Sequence, residues 1–209
     1  MRNSVEQADV SDPEGNSMTT SILLTMVLAV MWAAPVWAGL DEGMSALMRG
    51  DYETALKEIK PVAEQGNGFA QRQIGQMYKE GLGVPQDYQE SVRWYRLAEK
   101  NGTEANFPLG EMYFYGQGVS LDYAEAMKRF RTAAEQGLGP AQLYLGIMYE
   151  QGLGAPQDYV MAHMWYNLAA VPVAHSYATK RRDDLATRMT TAQVAEAQRL
   201  AREWKPKGK

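Results

Sequence analysis

The sequence predicts an all-α solenoid of antiparallel helix pairs, on three observations. The first is self-similarity at a period of 35 to 36 residues. Gly75, Gly110 and Gly146 share one column, Tyr78, Tyr113 and Tyr149 a second, and Gly81, Gly116 and Gly152 a third. Further columns hold Gly83, Gly118 and Gly154, then Asp87-Tyr88, Asp122-Tyr123 and Asp158-Tyr159, then Tyr95, Phe130 and Tyr166. The second observation is apolar residues at helical spacing within each period, as in Ala70, Ile74, Met77 and Tyr78. The third is punctuation: glycine, proline and aspartate fall where one helix would stop and the next begin.

Residues 1–38 stand apart from this pattern. Ile22 to Ala34 is an apolar run broken only by Thr25, too short to span a bilayer comfortably, and Pro35 ends it. Val36-Trp37-Ala38 then offers a signal-peptidase site, so these residues are expected to be an N-terminal extension and signal peptide, with Met18 as the start of translation. That implies a periplasmic or secreted protein, the alternative being an inner-membrane anchor left uncleaved. Residues 39–69 are a partial repeat, because Asp51-Tyr52, Ile59 and Gly66 match the second half of the unit. Residues 70–104, 105–140 and 141–173 form repeats 1, 2 and 3.

Within repeat 1, a first helix near Ala70 to Glu80 ends at Gly81, which supplies a left-handed residue. Pro85 suits the connection, Asp87 caps the second helix, and Glu90 is placed to reach back in a capping box. Asp122 and Glu125 repeat this arrangement, whereas Asp158 is followed by Met161 in place of the acid. The Gly75 column lies inside a helix, where glycine costs about 1 kcal/mol relative to alanine, so it predicts a close helix approach. Residues 174–209 provide a helix near Ala174 to Met189, a capping helix after Thr190 and a basic tail. From Lys180 onward there are nine basic and four acidic residues.

These units resemble the Sel-one-like repeat (SLR) family of tetratricopeptide-related proteins. The residues that carry the likeness are the Ala-x-x-x-Leu-Gly-x-x-Tyr-x-x-Gly-x-Gly run followed by Asp-Tyr and Ala-x-x-Trp-Tyr, as in Ala141 to Gly154, Asp158-Tyr159 and Ala162 to Tyr166. The end of the chain, with Met189-Thr190-Thr191-Ala192-Gln193, resembles exported bacterial members. The resemblance implies a right-handed superhelix that acts as a scaffold for protein or peptide binding, usually without catalysis. Departures are Arg129 where Trp94 and Trp165 stand, and Pro108 early in a first helix. Some members of the family are disulfide-braced and linked to β-lactams, but this chain has no cysteine.

The absence of cysteine also excludes a thiol nucleophile and thiolate metal sites. The two histidines, His163 and His175, have no ligand-spaced partners, so no metal, cofactor or catalytic residue is expected. Gly81-Leu82-Gly83 follows a helix rather than a strand and lacks the lysine of a phosphate loop. A net charge of -4 argues against nucleic acid as a partner, and Lys180-Arg181-Arg182, followed by two aspartates, reads as a solvated helix face.

At about 100° per residue, Arg72, Gln76 and Lys79 point away from the core of repeat 1. Their equivalents are Phe107, Glu111 and Phe114 in repeat 2 and Leu143, Ile147 and Glu150 in repeat 3. Four apolar residues where water is expected suggest a strip that binds a protein or peptide. The competing reading is that they pack on the next repeat or on the C-terminal helices. The expected function is an exported, non-enzymatic adaptor of the bacterial cell envelope. The alternatives are an envelope hydrolase of cell-wall or β-lactam-like substrates and a membrane-anchored regulatory adaptor. N-terminal sequencing of the protein from envelope fractions should give Gly39 first. Recovery of an intact Ile22 to Ala34 segment in the membrane pellet would instead establish an anchor.

Overall fold

The computed structural model describes residues 39–170 and 176–207. Among them the chain forms ten helices and no strand: α1 (39–49), α2 (Tyr52–Glu64), α3 (Gly68–Glu80), α4 (Tyr88–Lys100), α5 (Asn106–Tyr115), α6 (Tyr123–Glu135), α7 (Gly139–Gln151), α8 (Tyr159–Ala169), α9 (Ser176–Ala186) and α10 (Thr191–Glu203). The expected signal peptide, His175 and the start of the helix expected from Ala174 lie outside the described residues. Pairs α3/α4, α5/α6 and α7/α8 are the repeats, and α2 on α3, α4 on α5 and α6 on α7 join them in a solenoid.

The aspartate caps form as expected. Asp87 accepts from the backbone N–H groups of Gln89 and Glu90, Asp122 from that of Glu125, and Asp158 from that of Met161. The reciprocal half of the expected boxes does not. Glu90 takes Arg93, and Glu125 takes Lys128 and Arg129, because a cation one turn onward is a stronger partner for a carboxylate than a backbone amide. A complete capping box forms instead at Thr190 with Gln193. Pro108 is harmless because it occupies the first turn of α5, where a missing N–H leaves no intrahelical bond unmade.

Two glycine columns fix the geometry. A Cβ at Gly75, Gly110 or Gly146 would lie 2.7, 2.7 or 2.5 Å from the ring of Tyr95, Phe130 or Tyr166 on the second helix of the same repeat. The Ser91 hydroxyl donates to the Gly75 carbonyl at 2.8 Å across the same contact. The partial repeat has its own version, since a Cβ at Gly43 of α1 would collide with the Ile59 side chain of α2. In the second column, a Cβ at Gly83, Gly118 or Gly154 would lie 2.5, 2.2 or 2.4 Å from the backbone oxygen of Tyr52, Tyr88 or Tyr123. Each of those tyrosines opens the second helix of the preceding unit. The first column therefore seals a helix pair and the second seals one pair to the next.

The C-terminal helices do not repeat the pattern. Both α9 and α10 pack on α8. Ala197 of α10 joins the core of repeats 2 and 3, and Trp204 stands edge-on to Trp165 with ring centroids 6.1 Å apart. The Lys207 backbone N–H then donates to the Glu135 carbonyl at 2.7 Å, which ties the tail to α6. Arg181 and Arg182 are half-buried rather than part of a solvated face, because Glu150 and Asn167 accept from them. His163 is buried, and burial and the nearby Arg182 lower its pKa. Among the described residues no three His, Asp or Glu groups cluster as metal ligands would.

Candidate functional site

The first helices α3, α5 and α7 stand side by side, so residues a full repeat apart meet on one face. Arg72, Gln76 and Lys79 of α3 and Phe107, Pro108 and Glu111 of α5 surround a cavity of about 470 Å³ floored by Tyr95. A second cavity of about 550 Å³ shares Arg72, Phe107 and Pro108 and continues past Thr103 and Glu104 to Leu138. Five of the nine expected site residues thus share one hollow, and they come from two adjacent repeats.

Its polar groups are mostly paired. Lys79 Nζ lies 2.5 Å from Glu111 Oε2, with both side chains about four-fifths covered. Tyr95 donates its hydroxyl to Gln76 Oε1 at 2.8 Å, and burial of the phenol raises its pKa. Arg72 differs. Its Nε is enclosed and has no hydrogen-bond partner among the described residues.

In repeat 2, Phe107 and Phe114 are half-buried in an aromatic cluster rather than presented to water. Phe114 meets Tyr144 at 5.3 Å and Tyr123 at 5.4 Å between ring centroids, while Tyr144 stacks on Phe130 at 4.6 Å. Burial raises the Tyr144 pKa, and the Tyr115 hydroxyl and the Glu111 carboxylate beside it add to that. Tyr144 was not among the expected site residues, although Gln73, Pro108 and Tyr144 form a column adjoining that of Arg72, Phe107 and Leu143.

In repeat 3 the expected strip is covered, which corrects the expectation that Leu143, Ile147 and Glu150 point into solvent. Leu143 and Ile147 pack against a cluster formed by Ala162 and Tyr166 of α8 and Leu185 of α9, because an exposed apolar pair gains from any apolar helix the chain can fold over it. Glu150 is buried and accepts from the Tyr166 hydroxyl at 2.7 Å, Arg181 Nη2 at 2.7 Å and Arg188 Nη1 at 3.4 Å. The face therefore divides into an open half, over repeats 1 and 2, and a half filled by α9.

A family model described as the Sel1 repeat matches residues 68–102, 103–138 and 139–170. Its frames open two residues ahead of the Ala70, Ala105 and Ala141 from which the expected units were counted. Among solved structures the chain is similar to a protective antigen present in uropathogenic Escherichia coli strains that displays an SLR fold. The two are 35% identical with a TM-score of 0.67, over 72% of this chain and 32% of that one. It is also similar to a Sel1 repeat protein from Oxalobacter formigenes, 34% identical with a TM-score of 0.66, over 77% of this chain and 66% of the other. The chain thus spans about a third of the length of the first and about two thirds of the second. No curated protein matches it in sequence.

The ion pairs on Glu150 should hold α9 in place. Glu150→Gln should cost about 1–3 kcal/mol, less than a fully buried pair because Arg181 keeps 30% of its side chain exposed. Hydrogen exchange should speed up across α9 and leave α2 to α4 unchanged.

Proposed function

Because the chain belongs to the Sel1 repeat family, whose repeats generally mediate protein binding, we propose that it is an exported, non-enzymatic adaptor that holds a protein or peptide partner in the bacterial cell envelope. The partner lies on the first-helix face of repeats 1 and 2. One observation carries this placement: the hollow shared by α3 and α5 is open, whereas the equivalent surface of repeat 3 is filled by the chain's own α9. That internal contact supports a partner that brings an apolar side chain flanked by charges complementary to those of the face. Export rests on the apolar run and cleavage site within residues 1–38. Among the described residues no helix is long and apolar enough to cross a membrane.

The absence of catalysis in this reading follows the family, a scaffold fold generally without an active site. A photo-crosslinker at Gln73, on the rim of the hollow, should yield a discrete adduct in the envelope fraction that excess unlabelled protein suppresses. The same group at the exposed Lys57 of α2 should yield none. Adducts of equal strength at both positions, or at neither, contradict the assigned face, and recovery of the protein only from the cytosol contradicts the location.

A further inference from the structure

We infer that the hollow between α3 and α5 receives the C-terminal residue of a partner chain, with its α-carboxylate on Arg72 and its apolar side chain against Phe107, Pro108 and Leu138. This rests on the binding face proposed above and specifies its ligand.

The argument begins with the charges. A guanidinium carries five N–H donors, and a buried donor without an acceptor costs free energy. Among the described residues Arg72 forms no hydrogen bond and no ion pair; the Phe69 ring, 5.4 Å from its guanidinium carbon, covers it without accepting a conventional hydrogen bond. The other charges of the lining already have partners. Lys79 holds Glu111, Glu80 accepts from Gln76, and Glu104 accepts from Gln136 at 2.9 Å and from the Asn106 N–H at 2.8 Å. Among the described residues Arg72 is therefore the one cation of the hollow left for a ligand anion.

The same inventory limits the ligand's charge. Three carboxylates stand against two cations, so a phosphate dianion or a run of acids would meet repulsion from Glu80, Glu104 and Glu111. A single carboxylate, set on the guanidinium and remote from further charge, suits the lining. Two parallel N–H···O bonds from arginine to carboxylate supply orientation as well as affinity.

The shape adds the second half. Both cavities contain Arg72, Phe107 and Pro108, so the anionic and apolar parts of the ligand must adjoin each other. At a chain terminus the carboxylate and the last side chain branch from one Cα. An internal Asp or Glu spends its own side chain on the charge, and its nearest apolar neighbour starts a residue away, about 3.8 Å along the backbone. The hollow lies within the usual range of ligand sites, roughly 300–1,000 Å³.

Three small probes separate these features: N-acetyl-L-leucine, its primary amide, and N-acetyl-L-aspartic acid α-amide, which carries a carboxylate without the adjacent apolar group. Titrated into isotopically labelled protein, N-acetyl-L-leucine should shift the amide resonances of α3 and α5, and each of the other two should bind at least about tenfold more weakly. Arg72→Gln should weaken N-acetyl-L-leucine to the level of its amide while leaving the amide's own affinity unchanged. Among the described residues Arg72 has no hydrogen-bond or ion-pair partner to lose, only its contact with the Phe69 ring, and the resonances of α7 to α10 report that the fold persists. Equal binding of acid and amide, an unaltered affinity in Arg72→Gln, equal binding of the aspartic acid probe, or no shift on α3 and α5 overturns the inference. A Gln73 adduct that persists when the acid and its amide bind equally would leave the adaptor face standing and remove only its carboxylate specificity.

Discussion

The rest of the structure depends on the distance at which two helices of a repeat meet. Glycine at positions 75, 110 and 146 lets the rings of Tyr95, Phe130 and Tyr166 lie where a Cβ would otherwise be, and each ring is wholly buried. A glycine inside a helix is unfavourable by about 1 kcal/mol, which burial of an aromatic side chain, a gain of about 1.5–3 kcal/mol, offsets. The rings also determine what the opposite face carries. Tyr95 reaches through to Gln76 at the floor of the hollow, and Tyr166 reaches Glu150, which in turn captures α9. Phe130 has no hydroxyl, and there Tyr144 stacks on the ring to build an apolar wall. Three repeats with one packing rule thus present three different surfaces.

Propagation along the solenoid follows from the second glycine column, which brings each inter-helix turn onto the backbone of the preceding unit. Contacts of this kind link neighbours only, so the chain needs a cap at each end. At the N-terminal end α1 and α2 reproduce the sealed pair with Gly43 and Ile59. At the C-terminal end α10 closes the core, with Trp204 against Trp165. The arginine that replaces tryptophan in repeat 2 is accommodated electrostatically: Arg129 pairs with Glu99 at 2.5 Å and Glu125 at 2.8 Å, so the junction with repeat 1 is held by charge.

Periodic residues made most of the fold legible, because a contact made three times leaves a column. The glycine columns and the aspartate caps could both be read this way. Gly43 could not, since it meets an isoleucine and has no tyrosine unit around it to mark the register. The covering of Leu143, Ile147 and Glu150 could be read only as a competing possibility: the covering helix belongs to the non-repeating tail, and Arg181 sits in a run of cations that has the composition of a solvated face. Arg72 was read from helical spacing as pointing away from the core of repeat 1, and it lines the hollow half-buried. Its lack of a hydrogen-bond or ion-pair partner among the described residues could not be read, because that required Lys79 and Glu111 to be seen together.

The close approach at the glycine column is tested most directly by a double-mutant cycle in urea on Gly110 and Phe130. Gly110→Ala should destabilise by about 1–3 kcal/mol through overpacking against the ring, despite alanine's better helix propensity. Combined with Phe130→Leu, which removes the opposing ring, it should cost at least about 1 kcal/mol less than the two single changes summed. Additivity within about 0.5 kcal/mol, or a gain in stability from Gly110→Ala alone, would contradict the account.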